Sequence, residues 1–306
     1  LGTRWGEADV LAGGTDLISL MKDYLHTPKR VVNVKGIKEL AGISKTGAGL
    51  RIGAIVTVDE LLNNAAVRAE YPSLIQAARG IASPQIRNMG TIGGDLCQRP
   101  RCWYFRTGNG LLAMKDGKSL VVSGDNRYHA IFSSGPAYFV SASSFGPPLI
   151  ALGAKVKLTS ASGSREVEVA KFFVTPQNES SREIALLPNE ILTEILVPPA
   201  QGVKNATYEV RHKDALDWPL VTASVALKMK GNTVESAKVV LGHVAPTPYV
   251  AAAAERALAG KTINESAAEA AGEAAVENAK PLSENGYKVQ LVKVAVKRAL
   301  LEAVKA

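Results

Sequence analysis

Cysteine is almost missing: Cys97 and Cys102 are the only two in 306 residues. Two thiols build no disulfide framework and leave the redox compartment undetermined. Histidine is scarce too, and His26, His129, His212 and His243 show no metal-ligand spacing. No apolar run reaches the length that crosses a membrane. No block of five or more basic residues occurs, although 36 Lys and Arg against 28 Asp and Glu give a net charge of +8. Scattered in this way, the excess reads as a solvated basic surface that can favour an acidic ligand or partner subunit, and nucleic acid is not expected to bind. There is no G-x-x-x-x-G-K-[ST] phosphate loop, and Gly90-Thr91-Ile92-Gly93-Gly94 departs from the G-x-G-x-x-G spacing, so a Rossmann NAD site is not supported. No Ser-His-Asp set is suggested. The chain opens at Leu1 without Met, which reads as a trimmed start from which a targeting signal could have been lost.

Two glycine loops stand out against these absences: Leu11-Ala12-Gly13-Gly14-Thr15-Asp16-Leu17-Ile18 and Gly90-Thr91-Ile92-Gly93-Gly94-Asp95-Leu96. Each offers backbone amides with no bulky side chain in front, and tight turns are the plainer alternative. One such loop can hold a phosphate; two brought together can hold the linked phosphates of a dinucleotide. Thr15 can add its hydroxyl, and the helix expected after the first loop adds its dipole. The second loop is expected to repeat that chemistry, with Gly90, Gly93 and Gly94 giving access and Thr91 and Asp95 offering side-chain contacts.

The rest of the chain reads as α+β. With 46% hydrophobic and 21% charged residues it is an ordinary globular sequence, long enough for about two domains. A strand over 9–11 leads into a helix capped by Thr15 or Asp16, with Leu17, Leu20, Met21 and Tyr24 as its buried stripe. Strands follow at 30–34 and 50–54, then a helix from Thr57. A further helix is expected from Tyr71 to about Gln85, carrying Leu74, Ile75, Ala78 and Ile81 and stopped by Ser83-Pro84. Residues 100–135 lack periodicity and read as a long surface excursion. Strand character returns at 154–158 and 191–197. Pro198-Pro199-Ala200-Gln201-Gly202 is the clearest boundary, followed by strands at 205–211, 221–229 and 233–242 and then by Ala- and Glu-rich helices.

The two loops resemble those of a known family, as do Ile81-Ala82-Ser83-Pro84-Gln85-Ile86-Arg87-Asn88 and Leu96-Cys97-Gln98-Arg99-Pro100-Arg101-Cys102-Trp103-Tyr104-Phe105-Arg106. The family is the FAD-binding medium subunit of the molybdenum hydroxylases, the xanthine dehydrogenase, carbon monoxide dehydrogenase and aldehyde oxidoreductase group. The segments 189–195, 208–211 and 217–221 match as well, so the resemblance spans nearly the whole chain. It implies a two-subdomain FAD-binding region of the PCMH, vanillyl-alcohol-oxidase-like type over 1–200, with subdomains at about 1–48 and 49–200. A C-terminal domain of a small antiparallel sheet with helices, over 201–306, completes the expected fold. It also implies a role: a large molybdenum-cofactor subunit oxidises substrate, a small two-iron-cluster subunit carries electrons, and FAD on this chain passes them to an external acceptor. By motif position, 11–18 and 90–95 bind the pyrophosphate and neighbouring groups, Ala82 and Ser83 flank the cofactor, Ile191 lies in a matching segment, and His129 sits where the family approaches it.

Three departures from the family pattern stand out. Relatives with a four-iron cluster in the excursion use four cysteines, and this chain has two, so no such cluster is expected. Ser144 stands where many relatives have an Asp that contacts FAD. Glu209 stands where relatives often place Lys near the flavin ring, which would disfavour an anionic reduced flavin. Two alternatives follow: an FAD-free scaffolding subunit of the same complex, or a free-standing flavin oxidoreductase. The expected compartment is cytoplasmic, with export to the periplasm on a partner's signal as the alternative.

Overall fold

A computed structural model of the chain describes residues 1–305. β1 (Asp9–Leu11) and β2 (Val31–Asn33) pair in parallel, Asp9 opposite Val31, with α1 (Leu17–Lys22) between them. Leu20 is the buried anchor of α1. Tyr24 is not part of its buried stripe: the helix has ended, Tyr24 takes a φ of 55°, and its side chain is 84% exposed. β3 (Ile43–Thr46) and β4 (Gly49–Gly53) form a hairpin. α2 (Val58–Asn63) starts on a reciprocal cap between Thr57 and Glu60, and α3 (Ala65–Glu70) follows on Asn64.

α4 (Pro72–Gly80) is shorter than the sequence predicts. The chain turns extended at Ile81, and Ser83-Pro84 starts α5 (Pro84–Met89) rather than only stopping its predecessor. Proline suits a first helical turn, where its missing N–H costs nothing, and Ser83 Oγ accepts the Ile86 N–H as an N-cap. The break leaves residues 81–83 as a bend. Thr91 then caps α6 (Ile92–Cys97), so much of the second glycine loop is a first helical turn.

The excursion is not a surface loop. It contains α7 (Trp103–Arg106), a small hairpin of β5 (Met114–Lys115) and β6 (Lys118–Ser119), and α8 (Leu120–Ser123). Phe105, Leu111 and Leu112 pack with Leu20, Ala137 and Phe139 into a core of their own. Elements of two to four residues are too short to print a hydrophobic period. Beyond them come α9 (Gly146–Ala151), β7 (Lys155–Ser160), β8 (Gly163–Glu168), α10 (Val169–Phe172) and β9 (Ile191–Val197). One antiparallel sheet results, in the order β3-β4-β9-β7-β8, with β9 in its middle.

The second sheet, also antiparallel, runs β10 (Val203–Val210), β11 (Val221–Lys230), β12 (Thr233–Gly242), β13 (Tyr249–Val250). β11 is buried continuously from Val221 to Leu227, as a strand covered on both faces must be. α11 (Ala252–Leu258), α12 (Glu265–Ala275) and α13 (Tyr287–Lys305) supply Leu258, Ala268, Ala271, Val292, Val296 and Leu300 to one face. On the other side α4 packs along β10, and α9 against β11 and β12. Ala226 and Val240 therefore belong to the same core as Leu74 and Phe145.

Candidate functional site

A cavity of about 430 Å³ opens where β1 ends, bounded by residues 12–17, residues 80–82 where α4 gives way to the bend, the second glycine loop, Arg99 and Arg101, residues 182–190 and residues 216–219. Its shape follows from Gly13. A methyl group there would overlap the Met89 carbonyl oxygen and reach 3.0 Å from Gly90 Cα, so the two glycine loops touch backbone to backbone. Gly14 takes a φ of 76°, a left-handed conformation natural to glycine. Among the described residues, the amides of Gly13, Gly14, Thr15 and Asp16 donate to no protein acceptor.

In the second loop, which also lines the cavity, most amides are already engaged. Gly90 N–H donates to Ile86 O (2.7 Å), Ile92 to Val56 O (2.9 Å), Gly93 to Ala54 O (2.9 Å) and Gly94 to Thr91 Oγ1 (3.1 Å). These amides start α6 and tie it to residues 54–56, whereas the first loop's amides stay available. Asp95, on α6, is buried and accepts from Ser143 Oγ, Phe145 N (3.1 Å), Ser144 N (3.2 Å) and Gln98 Nε2 (2.9 Å). Burial pushes its carboxyl up to about 6 against these donors.

Asp16 holds the N-cap position of α1 but makes no side-chain cap bond. Its carboxylate accepts from the Arg99 N–H (2.8 Å) and Arg106 Nη2 (2.8 Å), with Arg101 Nη2 at 3.2 Å. Arg99 also pairs with Glu183 (2.5 Å) and lies 2.8 Å from His26 Nε2. His26 in turn meets Asp9 at 3.2 Å, and that contact holds the Asp9 carboxyl below its usual range. Arg182 stacks on Trp5 at 4.2 Å. Sequence reasoning missed this arginine wall. The string from Arg99 to Arg106 was visible, but its partners lie about 70 to 90 residues away and no period announces them. The C-terminal sheet contributes too: Leu216 N–H donates to Ala82 O (3.1 Å), and Trp218 lies 4.6 Å from the Arg101 guanidinium.

Of the residues nominated from sequence, Ala12, Gly13, Gly14, Thr15, Asp16, Leu17, Ala82, Gly90, Thr91, Gly94, Asp95 and Ser144 line the cavity. Leu11 and Ile18 flank the Gly14 turn from behind the wall, and Ser83 is consumed as a helix cap. Gly93 faces Ala54, not the cavity. Ile191 begins β9 beside Glu190, which does line the cavity. His129 lies outside the lining, 3.1 Å from Cys102 Sγ and ringed by Trp103 and Tyr104. Burial lowers its imidazole to about 4, so it is neutral. Glu209 sits behind Gly80 with a side chain 5% exposed and Arg211 at 3.7 Å. Burial pushes its carboxyl up to about 8.

These residues fit a dinucleotide. Four uncommitted amides at a bare glycine turn suit a pyrophosphate. Arg99 and Arg182, both facing Glu183, and Arg101, whose buried Nε has no acceptor among the described residues, add positive charge. Leu17, Leu20, Ile81, Ile184, Leu186 and Pro219 give apolar walls for flat rings.

Residues 3–200 match the family model described as the FAD binding domain in molybdopterin dehydrogenase. Residues 206–303 match the CO dehydrogenase flavoprotein C-terminal domain. The aldehyde oxidoreductase FAD-binding subunit PaoB of Escherichia coli K12 is 32% identical, across 97% of this chain and 91% of that protein. The carbon monoxide dehydrogenase medium chain of Hydrogenophaga pseudoflava is 30% identical, across 98% and 90%. A solved structure of carbon monoxide dehydrogenase from Hydrogenophaga pseudoflava, lacking the Mo-pyranopterin moiety, superposes with a TM-score of 0.75 over 98% of this chain and 90% of that one.

Proposed function

The chain belongs to the family of FAD-binding subunits of molybdopterin dehydrogenases, and on that premise we propose that its cavity holds FAD and hands electrons onward to an external acceptor. It is the flavoprotein medium subunit of a molybdenum-containing oxidoreductase, a part that works beside large and small subunits. Bound FAD supplies the capacity to exchange electrons singly or in pairs.

The protein's own residues do the holding. Gly13 to Asp16 present amides to the pyrophosphate, and the arginine wall balances its charge. Asp95 fastens α6 to the 143–145 turn, so that Ser144 keeps its place on the wall. Residues 80–82 and the 216–219 segment line the cavity from two regions of the chain. The observation that carries the reading is the first glycine loop, whose four residues with free amides line a cavity walled by arginines and apolar side chains.

The test is an absorption spectrum of the purified chain, followed by acid release and identification of the chromophore. Flavin bands near-stoichiometric with protein are expected. A colourless chain that stays empty when titrated with FAD would overturn the reading in favour of a scaffolding subunit.

A further inference from the structure

We propose that Arg101 is a clamp that couples dinucleotide binding to the loop over residues 212–219. The inference rests on the reading that the cavity takes FAD, and four observations lead to it.

The first concerns charge. A pyrophosphate brings two negative charges to a cradle whose amides carry no formal charge and whose loop already holds Asp16. Arg106 offsets Asp16, but it is tied down, with Nε on Pro100 O (2.9 Å) and Nη2 on Asp16 and on Arg99 O. Arg99 is committed to Glu183 and His26, and Arg182 to Glu183 and Trp5. Arg182 is held more loosely, 3.8 Å from Glu183, but of the four only Arg101 also contacts the ring of Trp218 in the 212–219 loop.

The second concerns its donors. Both polar contacts of Arg101 run through the same Nη2 atom, to Asp16 (3.2 Å) and to Gln98 Oε1 (3.4 Å). Its Nε is buried with no acceptor among the described residues, and the side chain lines the cavity. A guanidinium in that state has N–H groups left for a phosphate oxygen.

The third concerns the opposite face. The Arg101 guanidinium lies 4.6 Å from the Trp218 ring, and Trp218 also lines the cavity. One residue therefore touches the pyrophosphate cradle on one side and the C-terminal loop on the other.

The fourth concerns the loop itself. Asp217 accepts from the N–H groups of His212 and Lys213 (3.0 Å each), which makes the segment a self-bonded unit. From outside itself, it is held by Leu216 N–H on Ala82 O, by the Trp218 stack, by Arg211 Nη1 on Asp214 O (3.5 Å) and by the edge contact of His212 with Tyr128. Leu216 is 74% exposed and has a φ of 56°, and Lys213 is exposed. Of these ties, only those at Leu216 and Trp218 join the loop to the cavity wall, so they place its cavity side.

The experiment titrates the full-length chain, stripped of flavin, with FAD, following flavin fluorescence. In parallel it times tryptic cleavage after Lys213 with and without saturating FAD. In the wild type, FAD is expected to slow that cleavage. Arg101→Met is expected to weaken FAD binding at least about tenfold, the worth of one charge-assisted contact, and to abolish the protection. Arg101→Lys keeps the charge without the planar stack, so it is expected to bind FAD more tightly than Arg101→Met while still leaving Lys213 unprotected. Trp218→Leu is expected to lose protection with a smaller loss of affinity than Arg101→Met. The clamp is overturned if Arg101→Met binds FAD as the wild type does, or if Trp218→Leu keeps full FAD-dependent protection. A wild-type chain that takes up no FAD overturns the flavin reading itself, a result distinct from either failure.

Discussion

Gly13 has no room for a side chain, because the carbonyl oxygen of Met89 occupies the place a Cβ would take. Gly13→Ala must therefore push the two glycine loops apart. We expect it to cost about 1–3 kcal/mol of stability and to lower FAD affinity more than tenfold, read by thermal unfolding and flavin titration. Gly36→Ala is the control, since an added methyl there meets no atom within 4 Å. The Gly-Gly pattern made this residue legible without a structure. Glu209 was legible only by resemblance, and its chemistry was not, because burial behind α4 sets it. Its carboxyl is raised from 4.5 to about 8, chiefly by desolvation. The folded state thus holds a proton that the unfolded chain gives up, and the stability it lends is complete below about pH 4.5 and lost as pH rises towards 8. Across that window wild-type stability should fall by up to about 1.4 kcal/mol per pH unit from this group. Glu209→Gln removes the slope, so its stability relative to wild type should grow between about pH 5 and about pH 8 in urea unfolding. A constant difference across that range would show that Glu209 is ionised in the folded protein.

Among the elements, α4, α5 and α6 show where periodicity misleads. Leu74, Ile75, Ala78 and Ile81 keep helical spacing through the end of α4, so the sequence reads one helix where the structure has two. The bend between them puts Ala82 on the cavity wall. The sequence reads residues 90–95 as a second phosphate loop, because glycines that open a helix and glycines that cradle an anion look alike. Only the hydrogen bonds distinguish them: the second loop's amides, apart from Thr91, are engaged, and those of Gly13 to Asp16 are free. Asp95 does for α6 what no local pattern could reveal, gathering donors from about fifty residues downstream. Asp95→Asn would turn an amide N–H₂ toward those donors. We expect it to cost about 2–3 kcal/mol and to weaken FAD binding through displacement of Ser144, measured by denaturant unfolding and titration. Unchanged stability would mean that the 143–145 turn is held by something other than this carboxylate.

At the scale of the whole molecule, Pro198 to Gly202 runs between β9 and β10 and looks, in composition, like a place to cut. The contacts across it argue otherwise. Asn205 Oδ1 accepts the Ser73 N–H (3.0 Å), Arg211 Nη1 donates to Gly80 O (2.8 Å), and α4 packs along β10. From the other end, Asn285 Nδ2 donates to the His129 and Ala130 carbonyls, and buried Lys288 donates to Tyr128 O and His243 O. The strands and helices of both regions were readable because each is a local pattern of apolar and polar residues. Their union was not, because it rests on pairs separated by more than a hundred residues. A chain ending at residue 200 would thus lose the cover of α4, the partners of the Gly80 and Ala130 carbonyls, and the Trp218 wall of the cavity. Such a chain should aggregate or unfold without a cooperative transition and bind no FAD. Supplying residues 201–306 as a second chain during expression should restore both properties, because the lost contacts are noncovalent. If residues 1–200 alone unfold cooperatively and bind FAD with full-length affinity, the C-terminal sheet is an accessory, and the cavity is built by the first region alone.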